Sequence, residues 1–242
     1  MCRKSLLFML VFLSVLVLGP AAGTANAALV AHWTFDESGG NTAYDLVGGN
    51  HAAVHGAEWT TGKIGGALSF DGVGDYLRIP DSDILDITGD LTIEAWIKTS
   101  QTSDYSRIFS NLPEVSPHNG YALEITSWED YNGQIRFYSQ ESCLLSIGRI
   151  NTGTWKHVRV TLSGTVATIY IDSIFDSSGN VNVPNANDVD QMVGASSMLS
   201  YFFDGVIDDI RVYDHVVPEP ATFLLLGLGG LVLLRKRNWL TG

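Results

Sequence analysis

Acidic side chains are the residues in this sequence best suited to bind a metal ion. Five of them stand at the ends of predicted strands, namely Asp36, Asp71, Asp75, Asp208 and Asp209. Carboxylates and backbone carbonyls are hard oxygen ligands and suit the irregular coordination of Ca²⁺. The pattern therefore indicates a structural Ca²⁺ site, and the capping of turns by the same side chains is the alternative.

Asp208 and Asp209 are neighbours in the last predicted strand, where successive side chains point to opposite faces. Asp208 is in phase with Ile210 and Val212, so it is predicted to face the apolar side, where an unpaired carboxylate is costly. It therefore needs a partner, and a metal ion is one candidate. Asp209 is in phase with Arg211 and is predicted to lie on the solvated surface.

Catalysis would need a further arrangement, which the sequence does not supply. Retaining glycosidases place two carboxylates about 5 Å apart, commonly by acids that alternate along one strand. The strand around Glu94 supplies one acid, and the strand around Asp208 has no acidic pair two residues apart. The six histidines stand in no nucleophile-elbow or zinc-ligand pattern. The sequence therefore predicts a non-enzymatic protein.

Aromatic rings beside polar side chains are the second candidate chemistry, since stacking on a ring is how shallow sugar sites gain affinity. Trp128 and Tyr131 stand in a turn-like polar segment, and Tyr201 belongs to a second aromatic group. These three are the predicted ligand-binding residues. The alternative is that the rings fold over a sheet edge and form a small satellite core.

The elements that would position these residues are strands. Leu91, Ile93, Ala95 and Ile97 alternate with more polar residues, which is typical of a half-buried strand. Two alternating runs, 155–162 and 165–172, flank Ser163-Gly164 and predict a β-hairpin. Further strands are predicted at 29–35, 67–70, 76–79, 121–126, 134–139 and 203–213. The spacing predicts an all-β domain of two packed antiparallel sheets.

The N-terminus has the pattern of a secretory signal. Basic Arg3 and Lys4 precede an apolar run over 6–18, and the small residues Ala25-Asn26-Ala27 follow. Residues 1–27 are therefore predicted to be a signal peptide that is cleaved after Ala27, which leaves residues 28–217 as the folded domain.

The C-terminal segment, residues 218–242, combines a break, an apolar run and a basic end. These parts are Pro218-Glu219-Pro220, residues 221–234 and Arg235-Lys236-Arg237. As a helix the apolar run covers about 21 Å, which is short for a hydrocarbon core of about 30 Å. Its basic end would stay on the cytoplasmic side while the domain lies outside. The run is predicted to be a short transmembrane helix.

Without these two ends, the domain carries 9 basic and 25 acidic residues. Such a surface repels phosphates and anionic headgroups, so nucleic acid and lipid surfaces are not expected as partners. Cations and neutral polymers remain. Cys143 would be the one thiol of the exported form and is predicted to be a small buried hydrophobe.

The order of Pro218-Glu219-Pro220, a short apolar helix and a basic end resembles the PEP-CTERM sorting signal of exported bacterial proteins. The resemblance implies recognition by a membrane-embedded exosortase and cleavage near residues 218–220. It also implies display at the cell surface or in extracellular matrix, with only a transient membrane intermediate. An ordinary one-pass anchor is the alternative.

Residues 29–80, 91–99, 152–173 and 203–217 together resemble the laminin G-like, concanavalin A-like jelly-roll modules of exported bacterial proteins. The resemblance implies a two-sheet antiparallel jelly-roll sandwich over nearly all of residues 28–217. It also implies the ligands of a structural Ca²⁺, which correspond to Asp36, a backbone carbonyl at Gly72, and Asp208. This fold hosts lectins, adhesion modules and glycoside hydrolases alike.

These features predict an exported, exosortase-sorted protein whose jelly roll acts as a non-enzymatic carbohydrate-binding or adhesion module. The expected partner is an extracellular polysaccharide or a surface protein, with signal peptidase and exosortase acting during export. A purely structural envelope or matrix protein is the first alternative. A divergent polysaccharide hydrolase is the second.

Overall fold

β-Strands are the only regular secondary structure in residues 28–102, 105–126 and 132–217, the part of the chain that the computed structural model describes. These residues form sixteen strands: β1 (Leu29–Trp33), β2 (Thr42–Ala43), β3 (Ala52–His55), β4 (Glu58–Thr61), β5 (Gly66–Asp71), β6 (Tyr76–Ile79), β7 (Leu91–Lys98), β8 (Ser106–Ser110), β9 (Tyr121–Thr126), β10 (Gln134–Ser139), β11 (Ser142–Arg149), β12 (Lys156–Ser163), β13 (Val166–Ile171), β14 (Ile174–Asn180), β15 (Gln191–Val193) and β16 (Asp204–Tyr213). The predicted signal peptide and sorting tail lie outside the described residues. Among those that are described, no helix has the length and apolar character needed to cross a membrane.

The strands form two antiparallel sheets. Sheet I has the order β14-β13-β12-β7-β16-β5-β4, and β1 also pairs with β16; sheet II has the order β11-β10-β9-β8-β15-β6-β3-β2. β16 is the central strand of sheet I, since it pairs with β7 along one side and with β5 and then β1 along the other. The predicted two-sheet jelly-roll class is confirmed.

The inner faces of the two sheets enclose one hydrophobic core. On β7 and β12 the alternating aliphatic residues lie opposite one another, as Leu162 does to Leu91 and Val160 to Ile93. These side chains are fully buried, as are Leu123 and Phe137 on sheet II. Burying an aliphatic side chain of this size stabilises the folded state by about 1.5–3 kcal/mol, so the layered core is the main source of stability.

The hairpin between β12 and β13 is confirmed, but its turn lies one residue later than predicted. Ser163 pairs with Val166 as the last rung of the ladder, so Gly164 and Thr165 form the two-residue loop. Gly164 has a φ of 56°, the left-handed conformation that a glycine adopts without steric cost at the first position of a tight hairpin loop.

A β-bulge in β16 changes where its acidic pair points. The register with β7 shifts between Asp208 and Arg211, and Asp209 has a φ of 54°. Asp208 lies opposite Trp96, on the outer face of sheet I, while Ile207 and Ile210 both belong to the core. The prediction that Asp208 shares the apolar face with Ile210 is therefore wrong, because the extra residue resets the alternation.

Asp209 also differs from its prediction. Its side chain is buried and forms ion pairs with His32 and Arg211, so it does not lie on the solvated surface. The bulge turns Asp209 towards His32 on β1, and the Arg211 guanidinium group compensates its charge.

Asp45 organises the loop between β2 and β3 and ties it to β1. Its two carboxylate oxygens accept hydrogen bonds from the backbone N–H groups of His32, Val47, Gly48 and Asn50, at 2.9–3.0 Å. Burial raises the pKa of Asp45, but these hydrogen bonds outweigh it and hold the pKa below its ordinary value of 3.8. The ionised side chain therefore acts as the anchor of this loop.

Replacing Asp45 should destabilise the protein strongly. Asp45→Ala leaves four N–H donors without their acceptor, and we expect the free energy of unfolding to fall by about 3 kcal/mol at neutral pH. Because the pKa is lower in the folded state, the stabilisation is complete above the unfolded pKa and is lost as pH falls below about 4. Urea unfolding of both proteins between pH 7 and pH 3 measures the difference. Glu37→Gln, which alters one exposed hydrogen bond to Tyr44, is the matched control; an Asp45→Ala protein as stable as that control would contradict the anchor role.

Candidate binding cleft

A row of three charged residues crosses the outer face of sheet II. Glu124 on β9 lies opposite Arg107 on β8 and opposite Arg136 on β10. Leu123 on β9 and Phe137 on β10 belong to the core, so alternation sends Glu124 and Arg136 outward. In β8 the register shifts between Arg107 and Phe109, and Arg107 lies opposite Glu124 on the same outer face. Three consecutive antiparallel strands thus bring two cations to one carboxylate.

Glu124 is fully buried between the two guanidinium groups. Its Oε1 accepts from Nη1 of Arg136 at 2.6 Å, and its Oε2 forms an ion pair with Nη1 of Arg107. Arg107 also pairs with Glu114 at 3.2 Å. Burial lowers the pKa of Arg107, and the pair with Glu114 opposes this shift. Moving either guanidinium group away would leave a buried charge without its partner, which is costly. The ion pairs therefore hold both groups in place.

Tyrosine rings pack against these guanidinium groups. The Cζ atom of Arg136 lies 4.6 Å from the ring centroid of Tyr138 and 5.2 Å from that of Tyr105. Arg107 lies 5.5 Å from the ring of Tyr201. These distances fall within the range of cation–π contacts, so the cations and the rings fix one another.

The rings and guanidinium groups line an open cleft of about 200 Å³, which we call the first cleft. Leu112, Glu114 and His118 complete its walls. At its rim, the Tyr138 hydroxyl donates to Oε2 of Glu141 at 3.0 Å, and Nδ1 of His118 lies 2.7 Å from the other oxygen. The hydrogen bonds from Tyr138 and His118 lower the pKa of Glu141, while burial and the bond to Glu141 raise the pKa of Tyr138. The cleft thus combines flat rings with fixed polar groups.

The first cleft contains one of the three predicted ligand-binding residues. Tyr201 lines it, whereas Trp128 and Tyr131 lie outside the described residues. Arg107, Glu124 and Arg136 were not predicted as site residues, because the ligand-binding prediction rested on aromatic residues in turn-like segments. Alternation along β9 and β10 would have indicated Glu124 and Arg136, and Arg107 is one of the few cations of this acidic domain.

The predicted Ca²⁺ ligands are only partly brought together. Asp36 accepts a hydrogen bond from Gly66 N–H at 2.6 Å, and Oδ2 of Asp208 accepts from the N–H groups of Lys63 and Ile64 at 2.8 and 2.9 Å. Both acids therefore bind the turn between β4 and β5. Gly72 follows the opposite end of β5, beside Asp204, so it is not part of this group. Six strand residues span about 20 Å, which explains the separation.

One of the two carboxylate oxygens of Asp208 accepts no hydrogen bond. Its Oδ1 is buried and has no hydrogen-bond partner. Burial raises the pKa of Asp208 to about 6, and the charges of Asp209 and Asp36 add to this shift. Asp36 and Asp208 could therefore give two carboxylates to a cation, but in the described part of the chain no three His, Cys, Asp or Glu side chains are grouped to hold a metal ion.

The remaining predicted acids cap a turn. Asp71 accepts from the N–H groups of Val73 and Gly74, and Asp75 accepts from Asp71 N–H. This is the turn-capping role that the sequence analysis left open for them. Cys143, which was predicted to be buried, is exposed on the edge strand β11.

Glu94 is engaged on the outer face of sheet I. Its Oε1 accepts from the Tyr213 hydroxyl at 3.1 Å and lies 3.4 Å from Nη1 of Arg211, and its Oε2 accepts from Nε of Arg159 at 3.1 Å. With both oxygens bound, Glu94 holds β7, β12 and β16 together.

Two family models match the sequence. The concanavalin A-like lectin/glucanases superfamily matches residues 71–220, and the PEP-CTERM protein-sorting motif matches residues 216–238. The sorting motif supports export to the cell envelope or surface and implies processing by an exosortase. No curated protein matches the chain.

Several solved structures share the fold. Domain 4 of AbnA, a GH43 extracellular arabinanase from Geobacillus stearothermophilus solved with arabinotriose, is 19% identical with a TM-score of 0.63, and the match covers 80% of this chain and 95% of that one. The binding domain of Paraclostridial Mosquitocidal Protein 1 is 12% identical with a TM-score of 0.63 and coverage of 79% and 50%. Trypanosoma rangeli sialidase is 15% identical with a TM-score of 0.59 and coverage of 79% and 31%. At such identities the likeness shows the fold alone, and this fold is shared by binding modules and hydrolases. With the family model matching more than half of its length, the chain belongs to the concanavalin A-like lectin/glucanases superfamily and carries a PEP-CTERM sorting motif.

Proposed function

We propose that this protein is a non-enzymatic module, displayed at the cell surface or in extracellular matrix, that binds carbohydrate in the first cleft. The observation that carries the proposal is the buried Arg107–Glu124–Arg136 row, which holds two guanidinium groups against tyrosine rings at an open cleft. Guanidinium N–H groups donate to hydroxyl oxygens, and tyrosine rings offer flat faces on which the C–H side of a sugar ring stacks.

The fixed geometry of the first cleft favours binding. Arg107 is held by Glu124 and Glu114, and Arg136 is held by Glu124 and by two tyrosine rings. Side chains that are already ordered lose little further conformational entropy when a ligand binds, so weak polar contacts suffice for useful affinity.

The engagement of the nearby carboxylates supports binding over hydrolysis. Glycoside hydrolysis uses one carboxylic acid as a proton donor and a second carboxylate as a nucleophile or base. Glu124 is enclosed by two guanidinium groups, Glu114 pairs with Arg107, and Glu141 accepts from Tyr138 and His118. Each acid therefore serves to position a neighbouring group.

The solved AbnA domain offers a parallel, since its structure holds arabinotriose on a related sandwich. Export through the PEP-CTERM motif would place the domain among extracellular polysaccharides. A neutral or cationic polymer suits a domain with 9 basic and 25 acidic residues better than a polyanion does.

Asp36 and Asp208 would be the carboxylate ligands of a structural Ca²⁺. The buried, unpartnered Oδ1 of Asp208 supports this part of the proposal, because a cation would compensate a charge that burial disfavours. Such an ion would tie the turn between β4 and β5 to β16, so its role would be stability.

Removing the stacking rings should abolish most of the carbohydrate binding. We expect Tyr105→Ala and Tyr201→Ala each to weaken binding about tenfold, since each loses a stacking face worth about 1.4 kcal/mol. A glycan array on residues 28–217, followed by titration calorimetry with the best polysaccharide, measures the change. Tyr44→Ala removes an exposed tyrosine that is not part of the first cleft and is the matched control. An array with no positive glycan would favour a purely structural matrix protein, and release of reducing ends would favour a hydrolase.

The sorting tail should be absent from the displayed protein. In a host that contains an exosortase, we expect the surface form to begin near Ala28 and to end between Val217 and Glu219, because the two prolines keep the cleavage segment out of a helix interior. Intact-mass measurement of the surface protein decides this. The same host without the exosortase should retain the tail. Recovery of Arg235–Arg237 on the surface form from the competent host would instead indicate an ordinary membrane anchor.

Chelation should lower the thermal stability if Ca²⁺ binds at Asp36 and Asp208. At a free Ca²⁺ concentration of about 100 Kd the ion adds about 2.7 kcal/mol, and added Ca²⁺ should restore what the chelator removes. Asp36→Asn should abolish the response, whereas Asp83→Asn, at an exposed acid elsewhere, should keep it. Calorimetric melting with and without chelator tests this. A wild-type Tm that changes with neither chelator nor added Ca²⁺ would exclude the bound ion.

A further inference from the structure

A second cleft, of about 410 Å³, opens on the same outer face of sheet II, at β6 and β15. Arg78 on β6 pairs with Met192 on β15, and the alternating residues Leu77, Ile79 and Val193 belong to the core. Tyr76 also lines this second cleft, and its ring stacks on that of His55 at 4.5 Å and 15°. The second cleft therefore repeats the flat ring and the guanidinium group of the first.

The two clefts lie in line across the strands. The first spans β8, β9 and β10, while the second begins at β15, the strand that pairs with both β8 and β6. From Tyr138 on β10 to Arg78 on β6 there are four strand spacings, or about 19 Å. This distance is several times the width of one sugar ring, so one short ligand cannot fill both clefts.

The segment 196–201 forms the wall that the clefts share. Tyr201 faces the first cleft, and Ser197 and Leu199 face the second. The wall is tied to the sheet, because Arg107 N–H donates to the Tyr201 carbonyl at 3.0 Å and Ser197 Oγ donates to the Leu112 carbonyl at 3.1 Å.

The wall presents apolar side chains to solvent between the two clefts on the outer face of sheet II. Met198 is 62% exposed, and both Leu199 and Tyr201 are also exposed. Leu199 and Tyr201 adopt φ values of 53° and 56°, in the left-handed region that bulky residues rarely adopt. The surrounding structure imposes this conformation, and both side chains are exposed on the wall.

Charge limits the kind of polymer that fits. The second cleft has one cation, Arg78, against Asp188 and Asp190. In the first cleft, Glu114 and Glu124 already neutralise the two arginines. Neither cleft therefore carries an excess of positive charge for a carboxylate or sulfate group.

We infer that the two clefts are subsites of one groove that binds a linear, uncharged or amine-bearing glycan several sugar residues long, passing over the wall at 196–201. The inference rests on the proposed function and extends it with a minimum length and a charge class for the ligand. Longer chains bind more tightly because contacts in the second cleft are added to those in the first.

Size-graded arabino-, xylo- and gluco-oligosaccharides, with oligogalacturonates as the polyanionic probe, test the inference on the exported protein by calorimetry. We expect affinity for one neutral series to rise at least about tenfold from disaccharide to pentasaccharide, and oligogalacturonates to bind more weakly. Tyr76→Ala should remove the gain with length while leaving disaccharide binding unchanged. Arg78→Ala, at a side chain that is 62% exposed, should do the same without affecting folding. Tyr105→Ala should weaken binding at every length.

The outcomes separate the two proposals. If Tyr105→Ala weakens binding but Tyr76→Ala and Arg78→Ala leave the length dependence unchanged, the inference of one extended groove is wrong, and the proposed binding in the first cleft is supported. Tighter binding of oligogalacturonates than of the neutral oligosaccharides would show that the inferred charge of the ligand is wrong. If no series binds, or if Tyr105→Ala changes nothing, the proposed function itself fails. Tyr44→Ala should match the wild type throughout.

Discussion

One extra residue in β16 determines which way the side chains of this central strand of sheet I point. β16 borders β7 on one side and β5 and β1 on the other, and the bulge at Asp208–Asp209 lies where its partner changes from β5 to β1. Asp208 reaches the turn between β4 and β5, and Asp209 reaches His32 on β1 and Arg211. Without the bulge, Ile207 and Ile210 would point to opposite faces, and the core would lose one of them. The conformational strain at Asp209 is thus offset by the burial of both isoleucines.

Buried charge plays a different part in the two sheets. In sheet I, Glu94 and Asp209 bind arginines of β12 and β16, Asp209 also contacts His32 on β1, and these contacts hold strands together. In sheet II, Glu124 orients Arg107 and Arg136 beside an open cleft. Buried ion pairs add little net stability compared with well-packed apolar residues, because desolvation offsets the attraction. In sheet II their main effect is therefore to fix the geometry of the groups that line the first cleft.

Membership of the superfamily does not by itself decide what the protein does, since the sandwich carries both binding modules and hydrolases. The function has to be argued from the site. At the first cleft, each nearby carboxylate already binds a cation or a hydroxyl, while the tyrosine rings and the largely buried guanidinium groups line the cleft. This arrangement supports the proposed role in ligand binding.

The sequence by itself determined the fold class, the hairpin near Gly164 and the sorting motif, because these depend on local alternation, turn chemistry and composition. It did not determine the direction of Asp208, because a bulge changes the phase of a strand without leaving a mark in the pattern of apolar residues. The resemblance to jelly-roll modules implied that Gly72 lies with Asp36 and Asp208, although β5 separates them by its full length. Only the tertiary structure brought Arg107, Glu124 and Arg136 into one row, since that row depends on which strands are neighbours and in what register, and pairing between strands is a long-range property of the chain.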